Sequence, residues 1–339
     1  MNLESLIRPS LLGLKPYSSA RDEYTGTEGV FLDANENPYG DLNRYPDPYQ
    51  RDLKGKLAML RGVNSNQIFV GNGSDEVIDL CFRLFCEPGK DKALQFSPTY
   101  GMYKVSAGIN NVELLDCPLT ADFEIDLKAA KQIIEQQQPK LVFVCSPNNP
   151  TGNLMNQEAI KQLASFTPGV IIVDEAYIDF ADAESAIALL SECDNLIVTQ
   201  TFSKAWGLAA ARVGVAYASP NIISWLNKIK PPYNVSGLNQ KAAIEALEDT
   251  AGFKERKAAI LTEKQRLIKF FQQLPMVQKV YPTQANFILI RLPGATDWYE
   301  KLIEQRIITR NRSSVVANSL RITVGTPQEN DKLINALKQ

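Results

Sequence analysis

The chain has 339 residues, 45% apolar and 22% charged, which are globular values that exclude disorder and collagen-like order. At ~150 residues per domain, that length makes one large or two ordinary domains. The 36 basic and 38 acidic residues leave a net charge of −2, and without a basic excess general nucleic-acid binding is argued against.

Residues 1–30 have no strong period and read as an N-terminal arm. Residues 1–10 lack a basic region followed by an apolar stretch, so no secretory signal is visible. Residues 31–232 read as a large α/β domain. From about 65 to 220, short apolar runs alternate with helical patterns. The runs are 68–70, 93–96, 141–145, 170–173, 196–198 and 213–218, and the helical stretches between them include 75–85, 126–136 and 156–166. Unbroken apolar strands alternating with helices predict a mostly parallel sheet covered on both faces. Pro231-Pro232 ends the pattern. Residues 233–339 read as a smaller α+β domain, with helices near 236–248 and 252–273, a strand pair at 286–291 and 320–324, and a last helix from Pro327. No apolar run approaches the ~20 residues that span a bilayer, so no membrane partner is expected.

The chain contains no histidine. That excludes a Ser-His-Asp triad, a Cys-His pair and a histidine-ligated metal, and no metal ligand set is expected. The five cysteines (Cys81, Cys86, Cys117, Cys145 and Cys193) are odd in number and lack CxxC spacing. They suit reduced core thiols in a cytoplasm better than a disulfide framework.

Four segments carry chemistry. Thr201-Phe202-Ser203-Lys204-Ala205-Trp206-Gly207 follows the run at 196–198. A lysine at a strand end lies where α/β sheets bind ligands, and lysine forms imines with carbonyl compounds. Ser203 and Arg212 could both hold an anion. The run at 170–173 leads directly into Asp174, a carboxylate that must be solvated or paired with a cation. A helix-capping aspartate is the plainer alternative. Ser146-Pro147-Asn148-Asn149-Pro150-Thr151-Gly152 follows another strand as a rigid turn that leaves the Asn149 amide free to donate and accept. Gly71-Asn72-Gly73-Ser74-Asp75-Glu76 opens a helix whose first N–H groups could cradle a phosphate, although capping by Ser74 explains it equally well. All four should emerge at one sheet edge. An amine, a carboxylate, an amide and a phosphate nest are the set that pyridoxal phosphate needs.

The order NPTG, DEAY and SK with Arg212 resembles the fold-type I pyridoxal-phosphate aminotransferases, and most closely the histidinol-phosphate aminotransferase family. The likeness runs nearly end to end, through LDANENPYG at 32–40, RYPDPYQ at 44–50, GNGSDE at 71–76, SPTYGMY at 97–103, VDEAYIDF at 173–180, TFSKAWGLA at 201–209, NFILIR at 286–291 and LRITVGTPQEN at 320–330. One departure is Ala210, where the family usually has a glycine.

The resemblance implies a large sheet domain, a smaller α+β domain, a homodimer, and transamination of L-histidinol phosphate with 2-oxoglutarate in histidine biosynthesis. It implies that Lys204 anchors the cofactor covalently and shuttles the proton. Asp174 would pair with the ring nitrogen, and Asn149 and Tyr177 would hydrogen-bond the phenolic oxygen. Tyr100 would stack on the ring. Ser74, Asp75, Ser203 and Arg212 would hold the phosphate, with Tyr45 reaching it from the partner subunit. Arg321 would bind the acid group of the substrate, and Tyr17, Asn35 and Arg310 would line the substrate pocket. Opposite unit charges ~4 Å apart attract by about 4 kcal/mol at an effective dielectric of ~20, enough to keep a ring nitrogen protonated beside Asp174. Partial burial and nearby cations, Arg212 among them, would lower the Lys204 pKa. Three other readings stand: a threonine-phosphate decarboxylase-like lyase, an aromatic aminotransferase, and a cofactor-sensing regulator. The last would need an added DNA-binding module. Tyr17, Tyr100 and Tyr103, as candidate slot residues, suit an imidazole or a phenyl ring alike.

Overall fold

The computed structural model describes residues 3–17 and 29–338. Seven strands, β1 (Ile68–Gly71), β2 (Lys92–Ser97), β3 (Glu113–Pro118), β4 (Leu141–Cys145), β5 (Val170–Asp174), β6 (Leu196–Thr201) and β7 (Gly214–Ala218), form one sheet in the order β1-β7-β6-β5-β4-β2-β3. Around it lie α1 (Arg51–Arg61), α2 (Ser74–Phe85), α3 (Met102–Ile109), α4 (Leu127–Gln137), α5 (Gln157–Phe166) and α6 (Pro220–Ile229).

Successive residues of the central strands enter different cores. Leu141 and Phe143 of β4 pack with Phe82 of α2 and Leu226 of α6. Val142 and Val144 pack with Leu57 of α1, Ile134 of α4 and Leu163 of α5. Neighbouring side chains on a strand point to opposite faces, so both faces of the sheet are covered. Because neither face meets water, the strands read as unbroken apolar runs. The edge strand β3 gives no such signal, since only Cys117 within it is buried.

The β2–β3, β2–β4, β4–β5 and β5–β6 pairs are parallel. β7 runs antiparallel to both its neighbours, β6 and β1. A parallel return would need a long crossover, usually a helix. Residues 202–213 supply only the short helical turn Ala209–Ala211. The reversal has a consequence for the site: the start of β7 joins the ends of β1, β4, β5 and β6 at one edge, and Arg212 arrives there just before β7.

The smaller sheet is antiparallel in the order β10-β11-β9-β8, from β8 (Lys279–Val280), β9 (Phe287–Arg291), β10 (Arg310–Asn311) and β11 (Ser319–Thr323). Arg321 stands opposite Leu289 of β9 and Arg310 of β10. After α7 (Gly237–Glu248) come α8 (Thr250–Gln273), α9 (Ala295–Glu304) and α10 (Pro327–Leu337). Leu267, Phe271, Ile288, Ile290, Leu320, Ile322 and Leu333 form a separate core. Helix α7, grouped with the smaller domain on sequence pattern, buries Ala243 beside Val235 in the core of the large sheet.

Part of the arm is tied down. Leu6 and Ile7 bury themselves against the face formed by α2, α3 and α6, and the Arg8 N–H donates to the Leu84 carbonyl at 2.9 Å. Residues 18–28 of the arm lie outside the described residues. Among the described residues no helix is long and apolar enough to cross a membrane. All five cysteines are free and buried.

Candidate active site

The edge where β1, β4, β5 and β6 end borders a cavity of about 160 Å³. Lys204 projects from the loop after β6, Asp174 ends β5, Asn149 and Cys145 follow β4, and Ser74 and Asp75 open α2 after β1. Tyr100, Tyr177, Ser203 and Arg212 complete the wall. Nine residues expected from the sequence therefore meet in one space.

Asp174 is 2% exposed. Its carboxylate accepts from the Tyr103 hydroxyl at 2.8 Å, the Ala176 N–H at 3.2 Å and the Thr199 hydroxyl at 3.5 Å. Every one of these donors is neutral. Burial pushes the carboxyl above its usual range, and the three donors pull it back only in part. A buried carboxylate that faces a cavity and has neutral protein partners fits a cationic ligand atom. The pyridine nitrogen of pyridoxal phosphate, when protonated, is such an atom.

Another part of the cavity wall, at Ser74, Ser203 and Arg212, suits an anion. The N-cap of α2 is Gly73, at φ 83°, and no side chain caps the helix. Ser74 is the first helical residue rather than the cap, so the first-turn N–H groups remain available to a ligand. A Cβ on Gly73 would stand 2.6 Å from the Arg212 guanidinium, and one on Gly214 would stand 2.1 Å from the Ser74 nitrogen. Glycine at both places lets β7, α2 and Arg212 close around one point. Arg212, itself left-handed at φ 49°, donates to the Ser203 hydroxyl at 3.3 Å and faces the Asp75 carboxylate at 3.5 Å. The Asp75 side chain also accepts from the Tyr100 hydroxyl at 3.2 Å, so it holds two walls of the cavity. Ala210 sits in the exposed turn Ala209–Ala211.

The Lys204 Nζ lies 5.6 Å from the centre of the Tyr177 ring. The cavity leaves Lys204 open to solvent. Partial burial is still the largest cause lowering its pKa, followed by the charge of Arg321, with Asp174 and Asp75 opposing. Arg212 lowers it less, so the main cation is Arg321 and not Arg212 as the sequence suggests. Arg321 donates to the Asn149 side-chain oxygen and lies 5.1 Å from the centre of the Phe287 ring. That bond turns the Asn149 amide so that its NH₂ faces away from Arg321 and is free to donate. Arg321 has no ion pair among the described residues.

Five expected residues do not line this cavity within the chain, and of these Arg321 reaches it only through its bond to Asn149. Tyr17 is 68% exposed and borders a different cleft, with Pro48, Tyr49 and Tyr233. Asn35 is exposed, at φ 54°. Tyr45 stacks on Tyr233 with ring centres 4.4 Å apart. Arg310 is exposed beside Arg321. Tyr103, offered by the sequence as a slot residue, is instead fully buried, stacked on Phe143 at 4.6 Å and bonded to Asp174. The sequence reading also missed a network beneath the site: Asp179 accepts from Arg61 at 2.8 Å and from the Trp206 indole at 3.0 Å. It ties the Tyr177 segment to the Lys204 loop. An aspartate two residues after Tyr177 and a tryptophan two after Lys204 carry no motif of their own.

Residues 27–337 match the family described as aminotransferase class I and II. A histidinol-phosphate aminotransferase of Cytophaga hutchinsonii is 50% identical over 344 residues, which cover 99% of each chain. One of Christiangramia forsetii is 51% identical over 344 residues, covering 100% of this chain and 98% of its own. The crystal structure of histidinol-phosphate aminotransferase from Sinorhizobium meliloti in complex with pyridoxal-5'-phosphate matches with a TM-score of 0.81 at 27% identity, over 88% of this chain and 83% of that one.

The lowered Lys204 pKa makes a prediction for the ligand-free protein. Its amine should be acetylated at lower pH than the exposed lysines, read peptide by peptide by mass spectrometry. Arg321→Gln removes a cation and should move the Lys204 profile back to higher pH. A Lys204 profile that coincides with those of exposed lysines, or that Arg321→Gln leaves in place, would contradict the electrostatics described.

Proposed function

The chain belongs to the aminotransferase class I and II family, and we propose that it moves the amino group between L-histidinol phosphate and 2-oxoglutarate with pyridoxal phosphate as cofactor. The biosynthetic direction makes histidinol phosphate from imidazole acetol phosphate and glutamate. The observation that carries this reading is the end-to-end match, half of it identical, to relatives of that activity.

When bound, pyridoxal phosphate supplies a carbonyl that condenses with amines and a ring that takes up an electron pair. Lys204 would hold it covalently. Ser203, Arg212 and the first N–H groups of α2 would hold its phosphate, and the Asn149 amide and Tyr177 hydroxyl its phenolic oxygen. Asp174 keeps a proton on the ring nitrogen. Tyr103 and Thr199 fix the direction of that carboxylate, and the register pairing Asp174 with Thr199 across β5 and β6 fixes its depth. The neutral Lys204 amine accepts the proton from the substrate carbon that bears nitrogen. The causes that lower its pKa enlarge the neutral fraction near pH 7. Arg321 binds the acid group of each substrate in turn. Its guanidinium fork suits both a carboxylate and a phosphate.

We further propose a homodimer in which Tyr45 serves the partner's site. This is supported by the exposure of Val30, Leu32, Tyr39 and Leu42 in the segment before it, each at least 73% exposed. The five free thiols support a reducing, cytoplasmic setting.

A panel of amino donors tests the substrate. Each is mixed with the enzyme in the absence of an oxo-acid, and the loss of the cofactor's visible absorbance is followed. Histidinol phosphate and glutamate should convert the cofactor, and histidinol phosphate should be the fastest of the non-acidic donors. Conversion by phenylalanine as fast as by histidinol phosphate would favour the aromatic reading. Release of carbon dioxide from threonine phosphate would favour the lyase. For the dimer, inactive Tyr45→Ala and Lys204→Ala chains are mixed. Active sites should reappear in mixed dimers, and no recovery after verified subunit exchange would mean that each site is built from one chain.

A further inference from the structure

Lys204 opens a tight turn, and a tryptophan holds that turn in place. The Gly207 N–H donates to the Lys204 carbonyl at 3.1 Å, and the Leu208 N–H donates to the Phe202 carbonyl at 3.0 Å. Trp206 is thus the third residue of the four-residue turn that begins at Lys204. Gly207, at φ 73°, takes the left-handed conformation that lets the turn close. Trp206 is buried. Its ring stacks on Phe253 of α8 with centres 4.0 Å apart and tilts against Phe202 at 5.6 Å. Stacking sets the plane of the indole but lets it slide within that plane. The N–H bond to Asp179 at 3.0 Å removes this freedom.

Asp179 is itself anchored. One of its oxygens takes the indole N–H, and the other accepts from Arg61, the last residue of α1, at 2.8 Å. The Arg61 and Asp179 side chains are only 19% and 15% exposed, so the charge-assisted bond is largely shielded from water. Asp179 also lies in the helical turn Ile178–Phe180, whose Phe180 N–H donates to the Tyr177 carbonyl at 3.0 Å. One carboxylate therefore fixes both segments from which Tyr177 and Lys204 enter the cavity. Arg61, Asp179 and Trp206 do not line the cavity, so their effect on chemistry must pass through residues that do. Lys204 depends on this support unequally. While its nitrogen is bonded to the cofactor, that bond helps to hold it. Once released to take the substrate's proton, it is held by the turn and its own torsions alone.

We propose that Asp179 is a positioning residue that, through the Trp206 indole, sets where the Lys204 amine stands when that amine is not bonded to the cofactor. This rests on pyridoxal phosphate as cofactor and not on the identity of the substrate. Two steps need a free amine at a defined place. In one, the Lys204 nitrogen bonds to the cofactor's carbonyl carbon and the carbonyl oxygen leaves as water. In the other, the neutral amine takes the proton from the substrate carbon. Non-covalent binding of the cofactor needs neither.

The test compares Trp206→Phe, which keeps a ring against Phe253 and deletes the N–H, with the unaltered protein. Cofactor-free full-length chain is mixed with pyridoxal phosphate, and bond formation to Lys204 is followed by absorbance. The dissociation constant is measured in parallel for pyridoxamine phosphate, whose amine replaces the carbonyl and cannot bond to Lys204. Bond formation should slow at least about fivefold, while the pyridoxamine phosphate constant stays within about twofold. In single turnovers of the loaded enzyme with glutamate, the limiting rate should fall by a similar factor and the half-saturating concentration should stay within about twofold. Asp179→Asn leaves one acceptor oxygen for two donors, so it should show the same pattern in milder form. Equal weakening of both cofactor forms would mean a merely structural role and overturn the proposal, as would an unchanged rate of bond formation. If Trp206→Phe does not fold, Asp179→Asn decides by the same criterion. The cofactor measurements involve no amino donor, so an enzyme that ignores histidinol phosphate would reject that substrate and leave this proposal standing.

Discussion

A carboxylate buried at the end of the central strand is the constraint around which the rest of this protein is arranged. Asp174 sits on β5, the middle strand of the seven, with three neutral donors and, among the described residues, no cationic partner within hydrogen-bond reach. An isolated charge in that position is strongly disfavoured unless something positive meets it. The sheet cannot yield to let water in, because both its faces are packed. The stress is relieved by a proton on the carboxyl, which burial favours, or by a cation that meets it from the cavity. The groups that surround the cavity follow from this. A lysine one strand away has its own charge destabilised by burial and by Arg321, and an amide is held by that arginine.

Where α2 and Arg212 meet the cavity, the problem has the reverse sign. Arg212 and the N-terminus of α2 concentrate positive potential, and Asp75 offsets part of it at 3.5 Å from Arg212. The direction of β7 makes this meeting possible. A parallel β7 would have carried Arg212 to the other edge of the sheet. Glycines at 73 and 214 then allow backbone and guanidinium to approach closer than any side chain would permit. One cavity therefore holds a negative pole and a positive pole, and the Lys204 amine lines the same cavity.

Much of this was legible in the sequence. Strands buried on both faces announce themselves as apolar runs, and the runs at 141–145 and 170–173 match β4 and β5 almost residue for residue. Motifs at strand ends gave the cavity wall, because a parallel sheet delivers every strand's last residues to one edge. What depended on pairing was not legible. The reversal of β7 follows from the short connection before it and has no signature within β7 itself. β3 lies at the edge and buries too little to show a pattern. Tyr103 reads as another aromatic in a motif until α3 turns it beneath Asp174. Arg321 and Asn149 lie 172 residues apart, and nothing local in either segment records their bond. Tyr17, Asn35 and Tyr45 lie away from the cavity of their own chain.

The central claim is that Asp174 exists to keep the cofactor's ring nitrogen protonated. The most direct measurement is the ¹⁵N chemical shift of that nitrogen in enzyme loaded with ring-labelled pyridoxal phosphate, compared with Asp174→Asn. The account predicts a pyridinium shift in the wild type throughout the neutral pH range and a neutral-pyridine shift in the variant. A neutral-pyridine shift in the wild type, or the same shift in both proteins, would contradict it.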